Sequence, residues 1–271
     1  MKQVLAKGQI ERELTNRFGS VFKIGAKPSA DFLSSGVSEI DTLTGGGMPR
    51  GAITELCGPT SSGRISTLVA ALACATSNNE ICALVDTMDS FDLSSAAKAG
   101  VDLNRLLWVR CSSNLERAFK ATDLLLQSGG FGLVALNLAD VTARYTRQIV
   151  SSWWFRFRRA IKSTPTVLAV ITPVTSVRSC AAMLLETKSE GALWSGSASL
   201  SMDASGDGKP GQQSTNRHQL SLVAKSACDS YQYSLLTHSH LLNGLDVRVN
   251  LAKPALWTQC PAKVYRVINT V

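Results

Sequence analysis

The chain has no run of about 18 apolar residues, the length a membrane-spanning helix needs, so no such helix is expected. Its start, Met1-Lys2-Gln3-Val4-Leu5-Ala6-Lys7, lacks the apolar core of a secretory signal. Cysteine offers no framework. The seven cysteines, at 57, 74, 82, 111, 180, 228 and 260, are odd in number, scattered, and never spaced C-x-x-C. Several lie in apolar runs, which reads as buried free thiols in a reducing compartment, so a cytoplasmic location is expected. Histidine is scarce, with three in all. His238-Ser239-His240 could place two rings on one strand face, but no third ligand lies near, and no metal site is expected.

Positive charge, by contrast, is in excess. The net charge is +8 over 271 residues, with a pI of about 9.3. Such a surface favours an acidic partner, either nucleic acid or an acidic protein face. An apolar fraction of 45% is enough for a real core, in one large domain or one domain with an appendage.

The segment around which the chain is organised is Gly58-Pro59-Thr60-Ser61-Ser62-Gly63-Arg64-Ile65-Ser66. A phosphate-binding loop reads G-x-x-x-x-G-K-[ST] between a strand and a helix. Ala52–Cys57 reads as a buried strand and Ile65–Thr76 as an apolar helix, so the setting fits. Both glycines are present, so the backbone turn that cradles an anion is available. Arg64 stands where lysine is expected, and Ile65 where the Mg²⁺-binding hydroxyl belongs.

Apolar strands then alternate with helices. Strands are predicted at Ile81–Asp86, Leu106–Arg110, Phe131–Asn137 and Val167–Ile171, with a helix at Leu115–Gln127. This pattern predicts an α/β fold with a mostly parallel central sheet covered on both faces by helices. Residues 1–30 carry a short amphipathic helix, Gln9–Phe18, with Ile10, Leu14 and Phe18 on one face, and an alternating strand at Val21–Gly25. Residues 31–271 form the core. Between about 191 and 217 the composition turns to Ser, Gly, Asp and Gln, which reads as a flexible loop. Gln219–Ala224 and Leu245–Leu251 are late strands.

Arg144 to Lys162 holds Arg144, Arg147, Arg156, Arg158, Arg159 and Lys162 and no acid, with Trp153, Trp154, Phe155 and Phe157 interleaved. As one helix, it places Ile149, Val150, Trp153, Phe157 and Ile161 on an apolar arc and most cations opposite, with Phe155 among them. Arg144, Arg147, Trp154, Phe155, Arg156, Arg158, Arg159 and Lys162 are therefore candidate contacts. They suit phosphate contact with base stacking, or an Arg/Trp-rich protein interface.

The run from Ser35-Gly36 through Asp41 to Gly45-Gly46-Gly47-Met48-Pro49-Arg50-Gly51, followed by Gly58-Pro59-Thr60-Ser61-Ser62-Gly63, resembles the bacterial RecA recombinase core. Gln9-Ile10-Glu11 with Phe18-Gly19, and Gly100–Leu107, add to that resemblance, which covers roughly residues 9–171. It implies a RecA-like P-loop core, subunit contact by the N-terminal helix, and no match to RecA's separate carboxy-terminal domain. It also implies roles that this sequence does not fill. Asn137 stands at the Walker B aspartate, Met88 at the glutamate acting on the attacking water, and Pro173 at the glutamine that senses the γ-phosphate. Phosphoryl transfer needs a metal, positioning and an oriented water. The expectation is a site without ATP hydrolysis, whose catalytic residues are none and whose cofactor is none, with ATP or ADP binding left open. Asp86, Asp89 and Asp140 are the nearby acids, read as strand-end and helix-cap residues rather than substitutes.

A RecA-like chain of this kind resembles the ImuA-type accessory proteins encoded with translesion polymerase subunits. The resemblance implies an SOS and DNA-damage-response protein working through polymerase subunits, RecA and DNA, with self-association also open. Two other readings stand beside it: a SulA-like cell-division inhibitor, and an active DNA-dependent ATPase.

Overall fold

The computed structural model describes residues 16–17, 32–194, 242–253 and 263–268. Of the expected N-terminal helix, residues 16 and 17 are described, and both are helical. The Val21–Gly25 and Gln219–Ala224 strands and residues 195–217 lie outside the described part.

The chain enters through β1 (Phe32–Leu33), α1 (Ser38–Thr44) and β2 (Met48–Pro49), a small antiparallel β1–β2 pair with a helix between. The Ser-Gly…Asp…Gly-Gly-Gly motif earns its composition here. Asp41 accepts from the Ser35 amide at 2.8 Å and from the Ser34 and Ser35 hydroxyls at 2.5 and 2.6 Å. Gly47 has φ +114°, and a Cβ there would collide with the Leu33 carbonyl, so only glycine fits.

The main sheet is built from β3 (Ile53–Cys57), β4 (Cys82–Asp86), β5 (Leu106–Arg110), β6 (Leu133–Asn137), β7 (Val167–Thr172), β8 (Met183–Trp194), β9 (Leu242–Lys253) and β10 (Lys263–Ile268). Its order is β10-β9-β8-β3-β7-β6-β4-β5. The six strands from β5 to β8 run parallel, and β9 and β10 add antiparallel at the other edge. This is the mostly parallel α/β sheet expected.

Alternate residues point to opposite faces. Leu56, Cys82, Leu84, Leu133, Ala135, Ala169 and Ile171 join the core cluster that includes Ile40 and Leu43 of α1 and Leu68, Leu72 and Ala75 of α2 (Arg64–Ser77). Ile53, Ala83, Val85, Val134, Leu136, Leu168 and Val170 join the other cluster, with Phe119 of α4 (Leu115–Ser128) and Trp154, Phe157 and Ile161 of α6 (Ser151–Ile161). Short helices α3 (Leu93–Lys98) and α5 (Ala143–Arg147) follow β4 and β6. Each fully buried Leu or Val contributes about 1.5–3 kcal/mol, which is why these strands read as unbroken apolar runs.

Two departures from the expected boundaries stand out. Residues 191–194 continue β8 rather than opening a loop. The expected single helix from Arg144 to Lys162 is two, α5 and α6, divided at Gln148–Val150, where Val150 is extended (φ −67°, ψ 127°). Val150 and its neighbour Ile149 are β-branched, which weakens the helix at that point.

One buried strand residue is charged in type. Glu55, at the centre of β3, is fully buried. Its carboxyl accepts from the Ser176 amide at 2.7 Å, the Thr172 hydroxyl at 3.0 Å and the Val177 amide at 3.3 Å. It therefore fixes the segment that carries the chain from β7 to β8. Burial pushes its pKa up, and the three hydrogen bonds oppose that without cancelling it. A carboxyl whose folded pKa is raised favours the folded state while protonated, so its contribution is present below the unfolded value and is lost as pH rises through the folded one. Glu55→Gln keeps an oxygen acceptor and removes the charge. Thermal melts across pH 4–8, on the order of the carboxylate and imidazole ranges, should show the parent losing stability relative to Glu55→Gln as pH rises. Parallel curves would show that Glu55 does not set the slope.

Candidate functional site: a filled phosphate loop beside a cationic aromatic ridge

The sequence-predicted loop lies at the C-terminal end of β3, where parallel sheets of this class place their ligands. Gly63 adopts φ +86° directly before α2, and Ser61 is also left-handed at φ 58°. The backbone turn is thus preserved. Its interior is occupied by the protein's own side chains.

Arg64 is the main occupant. It is 4% exposed. Nη1 donates to the Gly58 carbonyl and to the Thr172 carbonyl at 2.9 Å, and Nη2 donates to the Ala139 carbonyl at 2.8 Å. One guanidinium thereby bridges the chain just past β3, the last residue of β7 and the turn after β6. Desolvation lowers its pKa and the nearby charge of Asp140 opposes the shift. Its donors point at backbone oxygen and away from any incoming anion.

The loop is also roofed. The Ser62 hydroxyl pairs with Thr187 Oγ1 of β8 at 2.8 Å, and Thr187 Oγ1 lies 3.3 Å from the Cys57 carbonyl. A Cβ on Gly58 would lie 2.5 Å from Ser62 Oγ and Thr187 Oγ1, and one on Gly63 would strike Val247 of β9. Pro59, Thr60 and Ser66 complete the loop and the first helical turn, and Thr60 and Ser61 are exposed on its rim. Ile65 is half-buried and packs on the core.

The neighbouring positions are equally committed. Asn137 Nδ2 donates to Asp86 Oδ1 at 3.2 Å, and Asn137 Oδ1 accepts from the Ala139 amide at 3.1 Å. Asp86 is fully buried and its other oxygen accepts from the Phe91 amide at 2.8 Å. Asp89 accepts from the Cys111 and Ser112 amides at 2.9 and 3.1 Å, with Arg110 at 3.5 Å; the Ser112 hydrogen bond leads the causes that hold its pKa down. Asp140 accepts from the Ser90 hydroxyl at 2.6 Å. Met88 is exposed and offers a thioether. Pro173 follows β7 and has neither a side-chain donor nor an N–H. A magnesium nucleotide requires a cation aimed at phosphate and oxygen ligands for the metal. The residues present do not fit that group.

The ridge lies on α5 and α6. Its exposed cations are Arg144, Arg147, Arg156, Arg158, Arg159 and Lys162, with Phe155 49% exposed among them. Trp154 does not belong to it. That residue was a candidate contact, but it is 1% exposed, packed against Phe119 at 5.3 Å and Phe157 at 5.9 Å. The break at Val150 explains the correction. With the helix starting at Ser151, the inward positions are Trp154, Phe157 and Ile161, at i, i+3 and i+7, while Val150 turns out to 64% exposure. Arg156 is tethered as well. Its Nε and Nη2 grip the two oxygens of Asp123 on α4, both at 2.6 Å, and that side-chain hydrogen bond raises its pKa. Arg158 lies 5.4 Å above the Phe155 ring, within cation–π range.

Sequence reasoning missed Asp123, Glu55 and Thr187. A lone acid inside an apolar helix or strand was the available signal for the first two. Thr187 had none, because β8 was not read as a strand.

The sheet order and the strand–loop–helix at β3 define a P-loop type α/β domain. Within that class, the family described as the RecA N-terminal domain matches residues 2–148, more than half of the chain, and the chain belongs to that family. Proteins described as RecA resemble it in sequence. That of Rickettsia canadensis is 34% identical over 135 residues, 49% of this chain and 38% of the relative. That of Chlorobaculum tepidum is 36% identical over 123 residues, covering 44% and 35%. That of Sinorhizobium medicae is 36% identical over 136 residues, covering 49% and 37%. The chain thus spans less than two fifths of the length of these relatives. Among solved structures, that of the RadB recombinase superposes with a TM-score of 0.48 at 17% identity, over 58% of this chain and 83% of that one.

Arg64→Lys restores the usual residue of a phosphate loop but cannot reach three carbonyls at once. Each buried carbonyl left without a donor costs about 1–3 kcal/mol. Urea unfolding should show Arg64→Lys less stable than the parent by at least that amount. Equal midpoints and slopes would mean that the clamp contributes nothing.

Proposed function

We propose that this RecA-like chain is a non-hydrolysing accessory protein of the DNA damage response, of the ImuA type. In this reading it works through contacts with translesion polymerase subunits and RecA, with DNA as a further contact. One observation carries the reading: the arginine in the phosphate loop spends its donors on Gly58, Thr172 and Ala139, so the loop has a fold and no free cation for a phosphate. The pairing of Asn137 with Asp86 supports it, because the Walker B position carries an amide and the carboxylate beside it on β4 is already engaged. Among the described residues, the α5–α6 ridge offers partners an exposed surface where cations outnumber acids. From 141 to 185 the sequence has seven Lys or Arg and no Asp or Glu.

The purified chain should show no Mg²⁺-dependent ATP turnover above background, with or without single-stranded DNA. Turnover that follows the protein through gel filtration would overturn this. The triple variant Arg64→Lys, Ile65→Thr, Asn137→Asp should bind a fluorescent ADP analogue before it hydrolyses ATP, because Met88 supplies no base. Co-purification with translesion polymerase subunits, set against a tubulin-like division protein, separates the accessory role from the SulA-like one.

A further inference from the structure

α4 and the α5–α6 break enclose a groove of about 280 Å³, lined by Leu115, Phe119, Tyr145, Ile149, Val150 and Trp153. The groove exists because the helix breaks. An unbroken helix would have turned Val150 and Ile149 inward together. The break instead leaves Val150 at 64% and Tyr145 at 58% exposure, beside a floor made by Phe119 and Trp153, whose rings lie 5.5 Å apart. Large apolar side chains exposed side by side around a concavity mark a contact surface.

Its charge is one-sided. Arg144 and Arg147 flank Tyr145 on α5, both exposed. The acid on the lining, Glu116, is held by Lys120 at 2.6 Å. The nearest other acid across the helices, Asp123, is held by Arg156.

We infer that this groove is a docking site for an acidic, amphipathic peptide segment of a protein partner. The inference rests on the proposed accessory role and gives that role a place and a chemistry. The groove is open along one side and has room for one or two large apolar side chains projecting from a helix. The floor favours apolar side chains over stacked bases: stacking needs an open aromatic face, whereas Trp153 is packed by Phe119 and Phe157 and carries Arg156 at 5.9 Å, which leaves Tyr145 on the rim as the exposed ring of the lining. Acidic residues of the segment meet Arg144 and Arg147, and its apolar residues enter between Leu115 and Val150.

Selection of a random peptide display library on the full chain provides the test. Selected peptides should be rich in Asp and Glu, with Leu, Phe or Trp three or four residues apart. The strongest is then made synthetically, labelled, and measured by fluorescence anisotropy. Val150→Ser should weaken binding by about tenfold or more, as loss of a groove anchor does. That change places a favoured capping residue at the start of α6, so folding is not at risk. Arg144→Glu with Arg147→Glu should weaken binding as much and flatten its salt dependence. Peptides without acids, or binding indifferent to these changes, overturn the inference. So does competition for the groove by an oligo(dT) that displaces the peptide from the parent but not from Val150→Ser. The outcome also separates the two readings. Polymerase subunits that bind the parent and both variants alike leave the accessory role standing and remove the groove. Acidic peptides in the groove with no binding of polymerase subunits do the reverse.

Discussion

The guanidinium of Arg64 holds the ends of three strands together, and the rest of the site is arranged around that fact. In a phosphate-binding loop the cation and the backbone N–H groups face a common anion. Here the N–H groups keep their turn while the cation is reversed, facing the carbonyls of Gly58, Ala139 and Thr172. Burying a charge without a counter-ion is costly unless hydrogen bonds compensate. The carbonyls provide them, and Asp140 adds a favourable charge. Thr187 and Val247 close over the loop from β8 and β9.

Acids elsewhere serve as fasteners. Asp41 gathers the β1–α1 turn, Glu55 the segment after β7, Asp86 the turn after β4, and Asp89 the turn after β5. Each accepts backbone N–H groups that a loop would otherwise leave unsatisfied. With so many carboxylates turned inward, the excess of positive charge is expressed at the surface. It is most concentrated on α5 and α6, the helices that also expose Tyr145, Val150 and Phe155.

The fold was legible because its signals are redundant. Five strands of the parallel sheet are short and mostly apolar, with polar residues chiefly at their C-terminal ends and Glu55 the one buried acid inside a run, so period and boundary agree. β8 escaped because Glu186, Lys188 and Glu190 break its apolar run, and its partners on β9, such as Val249 for Thr187, lie far away in sequence. The site was half legible. The substitutions at 64, 65, 88 and 137 stand in the sequence, but where Arg64 sends its donors depends on the carbonyls of Ala139 and Thr172, 75 and 108 residues away, as well as on nearby Gly58. The tryptophan pair shows the same limit. Trp153 and Trp154 differ by one position, about 100° on a helix. Which one enters the core turns on where the helix begins, and the β-branched pair Ile149–Val150 is too weak a local signal to fix that start from the sequence.

The β8–β9 pair outgrows the sheet to which it belongs. β3 pairs with β8 over Thr54–Cys57 against Met183–Glu186, whereas β9 continues alongside β8 to Trp194. From Thr187 onward β8 has no partner on the β3 side, while β9 carries β10 on its far side over Gly244–Val249, and the β8–β9 register is irregular at Ser189/Gly191 and again at Leu193/Trp194. Bulges of this kind bend and twist a strand and spoil its open edge as a template for another chain. Thr187 and Val247, which close the loop around Arg64, sit in that stretch. The residues that cover the phosphate loop therefore belong to a segment braced by β10 and not by β3, so the cover over Arg64 depends on the pairing of these last three strands.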